Sequence, residues 1–546
     1  MYTEWRGQVF GSLLAHSAAR WPERIAMDHD GECVDYAHLA ERVDVTREAL
    51  WRLGVRPGHH VATAMGLSIR WAEVLFACLD LGAVVVPMNL TWTADELRLG
   101  LELTDAEHVI VESRYRQRDL IELLVAAVAS ISDGAGGEVD GGGTAVRSVI
   151  GLRSEGDDGA LPGFCADLDA AQATRPHAAR GGSGDPHELH PEHPALMLLT
   201  SGSTSFPKAA VLSHRALLAG LAYYADGLEL DRESVFVNCA PSYHIAGILT
   251  LCTPLMRGST VVAMRSFEPA EAMRLIHERR ATHFWGFDTH FAMMREHVEY
   301  GMWDLSSVEH TLAASNPGAA ERILEMGFSH HGCVYGSTEY MGSQSFFPRR
   351  DIGDRVRMVR SHGRATSGEL RIVDPETGAV LGAGEPGEIC VRGPGLFSGY
   401  YRRPAESAAC MDADGFFHSG DRGYLDTAGY LYYQGRYKEM IKSGGENVSI
   451  LEVEQWLANN VDGVRNVAVF GAPHERWGEA VTAAIVRAPG TALTEADVVA
   501  QCRGRLAPYK IPKRVVFIDA EQWSVTPTGK IDRGAIRSVA LGADAL

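Results

Sequence analysis

The apolar positions of this chain fall into two rhythms. Residues 60–65 and 83–88 are short, nearly continuous apolar runs, the pattern of strands buried on both faces. Between them, 69–81 carries helical periodicity, so the three stretches predict a βαβ unit. Upstream, 9–53 reads as helix, a short hairpin (25–27 and 32–36), then helix; downstream come a helix at 93–103 and a strand at 107–111. Alternation resumes with strands at 195–199, 235–238, 259–263, 282–285 and 331–335, and helices at 269–280 and 289–299. From 368 the texture changes to short strands (369–373, 387–392, 429–434) between Gly/Pro turns, predicting a small β-barrel or twisted sheet. Past Arg436, Ser449 and Glu452 spell a capping box, followed by strands at 464–470 and 480–486, a helix at 494–506, a strand at 515–518 and a polar C-terminal loop. The expected class is α/β: a large domain over 1–436, built of doubly wound sheets plus a small β-barrel, then a small, mobile α+β domain over 437–546.

One stretch breaks the rhythm. Residues 131–190 are rich in Gly and Asp with little periodicity, and predict a long, partly mobile surface excursion. Its end holds His187, His190 and His193 at metal-like spacing, but Pro191 and Pro194 break any helix that would align them.

Composition narrows the options. The 546 residues exceed one ordinary core, and 46% hydrophobic content fits a globular protein. A formal charge of −19 without a long basic run argues against nucleic acid or an anionic membrane as partner. Nine scattered cysteines, with no C-x-x-C pair, fit reduced thiols in a cytoplasm and no structural zinc. No stretch approaches a membrane span, and the N-terminus lacks an apolar leader core, so the expected location is cytoplasmic.

The chemistry centres on Thr200, Ser201, Gly202, Ser203 and Thr204, which follow the apolar run 195–199 and lead to Lys208. Backbone N–H groups, hydroxyls and one cation within a few residues suit a polyphosphate. The Walker A spacing is absent, and a Ser-rich surface turn is the alternative reading of the loop alone. Four further motifs follow in order: Tyr335-Gly336-Ser337-Thr338-Glu339, Ser419-Gly420-Asp421-Arg422-Gly423-Tyr424, the stretch from Gly435 to Asn447, and Thr526-Pro527-Thr528-Gly529-Lys530-Ile531.

Order and spacing together closely resemble the adenylate-forming superfamily of acyl-CoA synthetases, carrier-loading adenylation domains and firefly luciferase, over nearly the whole chain. The resemblance implies an acyl-CoA ligase that takes ATP, Mg²⁺ and coenzyme A and acts on a medium to bulky carboxylic acid. Glu339 would hold Mg²⁺, Thr338 would touch the α-phosphate, and Tyr335 would pack on adenine beside Gly336 and Ser337. Ser315-Asn316-Pro317 stands at the adenine-side motif. Asp421 would accept the ribose hydroxyls and Arg436 donate to them, with Tyr433 in the same nucleotide site. Lys530 would reach the carboxylate and α-phosphate oxygens. The small domain would turn about Lys438, bringing Lys442, Gly444, Gly445 and Glu446 to the site and leaving room for a pantetheine arm. Tyr243, His244, Gly247, Trp285 and Asp288 would line the acyl pocket, with His244 near the reacting carbonyl. Homodimerisation is an expectation of the family only.

The sequence departs from the family's pattern in places. Ser205 and Ala209 stand where glycines are usual in the phosphate loop, and a Cβ at positive φ costs about 1–2 kcal/mol. Asp288 replaces a helix-opening proline; it reads as a cap for the helix beginning at Thr289, or as a partner for a cationic or hydroxylated substrate. These departures leave three alternatives to a full ligase. One is thioester formation from a preformed acyl adenylate supplied by a separate activating enzyme; the others are loading of a carrier protein and a non-catalytic nucleotide-binding scaffold.

Overall fold

The computed structural model describes residues 2–128, 144–154, 157, 159–174, 189–200, 207–313, 317–366, 368–443, 446–474, 477–526 and 531–542. Two large sheets carry the first part of the chain. In one, Val84–Pro87, His60–Ala64 and His108–Glu112 lie side by side in parallel, with Val61 opposite both Val85 and His108. The predicted crossover helix is Ile69–Asp80, started by Ser68, whose hydroxyl accepts from Trp71 N. Ile69 and every residue from Trp71 to Leu79 are buried, so this helix is covered on nearly all sides, its one buried charge, Glu73, paired with Arg42 and Arg70.

The expectation of a 131–190 surface excursion is corrected in its middle. Ser148–Leu152 is a fully buried strand parallel to His108–Glu112, and Cys165–Asp167 adds the edge strand beyond it. The glycines conceal an apolar run, Val149-Ile150-Gly151-Leu152, that completes the sheet. The glycine clusters at 134–137, 141–143 and 181–184, and His187, lie outside the described residues. His190 and His193 face each other with ring centroids 6.0 Å apart.

The second sheet runs 331–333, 310–313, 283–285, 235–238, 260–263, 25–29 and 32–35, parallel except at the N-terminal hairpin. Helices that escaped the sequence reading include Leu120–Ala127 and Leu168–Ala173 beside the first sheet, Ile245–Arg257 and Pro317–Glu325, and, against the last sheet, Arg533–Leu541. The last replaces the expected polar loop. Ile536 and Ala540, four residues apart, are buried on one face, and Asp532 caps its start.

From Tyr335 the chain builds a β-rich unit. A three-stranded sheet (Tyr335–Ser337, Gly342–Phe346, Arg364–Ala365) meets a four-stranded antiparallel one (Glu369–Val373, Gly387–Arg392, Phe417–Leu425, Leu431–Arg436) through the bridge Arg364↔Tyr430. After Arg436, a single 3₁₀ turn, Tyr437–Glu439, leads into the last sheet: Met440–Ser443, Glu446–Ser449, Gly478–Arg487, Val464–His474 and Arg514–Phe517. Ser449 caps Ile450–Asn460 as predicted, but Glu452 reaches to Lys510 instead of closing a capping box. Among the described residues no helix is long and apolar enough to cross a membrane.

Candidate active site

Asp421 and Arg436, the pair expected to read the ribose, stand opposite each other on neighbouring strands. Asp421 lies on Phe417–Leu425 and Arg436 is the last residue of Leu431–Arg436; Arg436 Nε donates to Asp421 Oδ1 at 3.1 Å. The Tyr335 hydroxyl donates to Asp421 Oδ2 at 2.8 Å. Both Tyr335 and Asp421 are 5% exposed. Burial pushes the Asp421 carboxyl up, while Arg436 and the Tyr335 hydroxyl favour its ionised form. Tyr433 lies 5.7 Å from Tyr335 between ring centroids. Tyr335 therefore ties the Tyr335–Glu339 motif to the Ser419–Tyr424 motif, a link the sequence does not show.

The phosphate end follows directly. Thr338–Tyr340 is one 3₁₀ turn ending at Met341, a non-glycine residue held at φ +58, so the chain reverses and leaves Thr338 and Glu339 at the rim. Glu339 accepts from the Ser337 hydroxyl at 2.6 Å and from the Tyr400 hydroxyl at 2.8 Å. The same Tyr400 ring lies 4.8 Å from Lys208 Nζ, and Lys208 is ion-paired with Glu406. Lys208 and Arg403 hold the Glu406 carboxyl below its ordinary range. The Glu339 carboxylate contributes, behind Asp421, Tyr433 and Glu439, to holding the Arg436 guanidinium charged. Tyr400 and Glu406 were missed in the sequence. Their signal was local: Gly399 at φ +126 begins a two-residue edge strand, Gly399–Tyr400, paired with Ala210 and Val211.

Ala209 corrects the expectation of backbone strain. The segment Lys208–Ser213 is a strand antiparallel to Pro194–Thr200, with Ala209 opposite Leu199, and Ala209 is not among the positive-φ residues. An extended residue carries a Cβ without penalty. Thr200, whose hydroxyl donates to Lys208 O, is the loop's first residue; Ser201, Gly202, Ser203, Thr204 and Ser205 lie outside the described residues.

The acyl-pocket candidates gather around the start of Ile245–Arg257. His244 is its N-cap, Nδ1 accepting from Ala246 N at 3.2 Å, which places the ring proton on Nε2. A Cβ on Gly247 would meet the Pro241 carbonyl oxygen at 2.1 Å, so this glycine serves the approach of helix to turn. Tyr243 is partly buried, and burial pushes its hydroxyl up to about 12. Trp285 and Phe287 pack edge to face at 4.6 Å. Asp288 is not the helix cap expected for it. Phe287 holds the cap position, where His290 Nδ1 accepts from Phe287 N, and Asp288 is the first helical residue, close enough to Cys333 to raise its thiol further.

Lys438 is exposed in the 3₁₀ turn between the β-rich unit and the last sheet. Lys442 sits on Met440–Ser443 opposite Asn447, and Ser443 pairs with Glu446. Pro317 opens a helix. Gly444, Gly445, Ser315, Asn316 and Lys530 lie outside the described residues.

This geometry, a nucleotide-shaped set of groups at the rim of two α/β sheets, matches a known family. The AMP-binding enzyme family covers residues 14–401, and the AMP-binding enzyme C-terminal domain covers 452–530. The chain belongs to the AMP-binding enzymes and is an acid–thiol ligase of the acyl-CoA synthetase type. It is 32% identical over 537 residues to a feruloyl-CoA synthase of Amycolatopsis sp, covering 97% of this chain and 99% of that one. It is 31% identical to the indoleacetate–CoA ligase of Aromatoleum aromaticum, with 98% of each chain covered. Among solved structures, ATP-bound MatB from Rhodopseudomonas palustris superposes with a TM-score of 0.81 at 25% identity, covering 98% of this chain and 99% of that one.

Proposed function

We propose that the protein activates a medium to bulky, aromatic or alicyclic carboxylic acid with ATP and transfers its acyl group to coenzyme A. The observation that carries this reading is the convergence of Tyr335, Glu339, Asp421 and Arg436 from three separate segments on one rim. Support comes also from the Trp285 and Phe287 rings, packed edge to face at 4.6 Å, and from two full-length relatives that are named for bulky aromatic acids.

In the first half-reaction a carboxylate oxygen attacks the α-phosphorus, the bond to the α,β-bridging oxygen breaks, and pyrophosphate leaves. Positioning and charge neutralisation dominate such a displacement. Asp421 accepts from the ribose hydroxyls and Arg436 donates to them, fixing the nucleoside. Thr338 meets the α-phosphate, Lys208 leaves Glu406 for the terminal phosphates, and Lys530 neutralises charge where it develops. Glu339 fits Mg²⁺, being a half-buried hard-oxygen donor whose two oxygens each keep a lone-pair site beside their hydroxyl partners. The ion, when bound, supplies charge stabilisation on the phosphates. In the second half-reaction the thiol sulfur attacks the acyl carbon and AMP leaves. His244, carrying its proton on Nε2, can donate toward the acyl oxygen. The boundary at Arg436 and the hinge at Lys438 belong to this reading, supported by the lone 3₁₀ turn that joins the two parts. Nine free thiols fit a cytoplasmic setting.

The test is a paired assay over aryl, alicyclic and fatty acids. One arm supplies ATP, Mg²⁺ and free acid and follows pyrophosphate; the other supplies synthetic acyl adenylate and CoA. Turnover in both arms is expected. Thioester in the second arm only would replace this reading with one in which a separate enzyme activates the acid, and silence in both would leave a nucleotide-binding scaffold.

A further inference from the structure

The strand that carries Asp421 is not regular. Glu388 pairs with Arg422 and Cys390 with His418, so Ile389 alone stands opposite the three residues Ser419, Gly420 and Asp421. This wide bulge aims Asp421 across the sheet at Arg436, and it removes the ladder bonds that would hold the bulged backbone. Side chains replace them. Ser419 Oγ donates to Ile389 O at 2.6 Å and accepts from Asp421 N at 3.0 Å. Glu388 Oε1 accepts from Gly420 N at 2.9 Å, where Gly420 sits at φ +71. The other Glu388 oxygen is 2.8 Å from His418 Nδ1, and His418 Nε2 is 3.5 Å from Asp412 Oδ2. Asp412 in turn is paired with Arg371. A chain of polar groups thus runs from Glu369–Val373 through Gly387–Arg392 to the bulge.

Glu388, Cys390 and His418 bring donor atoms within 4.8 Å of one another, a grouping that could hold a cation. Their existing bonds argue for another role. His418 Nδ1 already faces Glu388, one Glu388 oxygen is committed to Gly420 N, and burial pushes the Cys390 thiol up to about 12, away from the thiolate a metal needs.

We propose that Glu388, braced by His418, is the positioning residue for Asp421: it locks the Ser419–Gly420 bulge so that the Asp421 carboxylate is presented to the ribose hydroxyls. The inference rests on the reading of Asp421 as the ribose acceptor. Glu388 touches neither nucleotide nor reacting atoms, so its removal acts through the hydroxyls that Asp421 reads.

The experiment uses the full chain and compares kcat and KM for ATP, 2′-deoxy-ATP and 3′-deoxy-ATP by pyrophosphate release, in wild type and in Asp421→Ala, Glu388→Ala, Glu388→Gln and His418→Phe. Wild type is expected to lose about tenfold or more in kcat/KM when a ribose hydroxyl is removed, mostly through KM, the scale of a hydrogen bond to a charged group. Asp421→Ala should lose this discrimination. Glu388→Ala should lose most of it, Glu388→Gln should keep most because its amide oxygen still accepts from Gly420 N, and His418→Phe should fall between. A merely structural role would lower activity with all three nucleotides alike. Should Glu388→Ala fail to fold, His418→Phe carries the test, with Glu388→Gln as the variant that retains the acceptor for Gly420 N. Wild-type discrimination in folded Glu388→Ala or, where that variant does not fold, in His418→Phe, with Asp421→Ala behaving as expected, overturns the latch alone. Discrimination surviving in Asp421→Ala overturns the ribose reading itself. Stoichiometric metal in the purified chain, lost together with discrimination in Glu388→Gln, would replace the latch with a cation site.

Discussion

The Tyr400 hydroxyl donates to Glu339 Oε1 at 2.8 Å, joining a two-residue edge strand to the turn that carries the candidate magnesium ligand. The same ring faces Lys208 Nζ at 4.8 Å. One side chain therefore steadies both the anion meant for the metal and the cation meant for the phosphates. Tyr400→Phe should raise the Mg²⁺ concentration needed for half-maximal pyrophosphate release several-fold, since about 1 kcal/mol of orientation is lost. Thioester formation from synthetic acyl adenylate should change less than twofold. An unchanged Mg²⁺ titration would remove Tyr400 from this role.

Arg436, itself partly exposed, is ion-paired with the buried Asp421, so removing the arginine leaves a buried carboxylate uncompensated. Arg436→Met should raise KM for ATP by about 10- to 100-fold and also lower stability, because an unpaired Asp421 must be protonated or rehydrated. Without the arginine the folded-state carboxyl holds its proton up to a higher pH, and ionising it above that pH costs stability. The loss of stability in Arg436→Met, followed by thermal unfolding, should accordingly be greater at pH 8 than at pH 6.

Four buried histidines make the fold acid-sensitive. His283 and His310 stack at 4.8 Å, His310 and His330 lie at 4.7 Å, and His331 bonds Thr311. Burial lowers them to about 4, 2, 4 and 3 for His283, His310, His330 and His331 respectively. Glu309, Asp231 and Arg349 are the charged groups acting on them. Below about pH 6.5 the unfolded chain binds protons that the folded one refuses, so stability falls as pH drops from about 6.5 toward 4, by up to about 1.4 kcal/mol per pH unit for each histidine. His310 has neither ring nitrogen bonded among the described residues. His310→Phe should flatten the acid limb of a Tm-versus-pH curve; a curve of unchanged slope would place the sensitivity elsewhere.

In the last sheet's unit, Glu454 is nearly buried, accepts from Val469 N and is gripped by Arg533 at 2.9 and 2.6 Å. Arg533→Met should destabilise this unit by about 3–5 kcal/mol, the usual result of orphaning a buried charge. Hydrogen exchange in Val464–His474 should speed up while the parallel sheets keep their protection.

Gly247→Ala drives a Cβ against the Pro241 carbonyl and should cost about 1–3 kcal/mol while shifting His244. A lowered Tm together with a raised KM for the acid is expected. Normal values for both would show that the turn can yield.

Much of this was written in the order of residues. The βα alternation, the cap at Ser449 and the five motifs could be read because short-range periodicity and local backbone bonds fix them. Where composition misled, a tertiary partner had decided. Ser148–Leu152 is a strand because a neighbouring edge awaited it, despite the glycines around it. Ala209 is unstrained because Leu199 lies opposite. Asp288 yields the cap to Phe287 because His290 folds back on that amide. The motifs announced Asp421, Arg436, Glu339 and Lys208 only together, because each residue alone reads as an ordinary turn or surface position and it is their order that carries the resemblance. The bonds that make them a site, Tyr335 to Asp421, Tyr400 to Glu339 and Glu388 to Gly420, span strands far apart in sequence, and only packing brings their atoms within 3 Å.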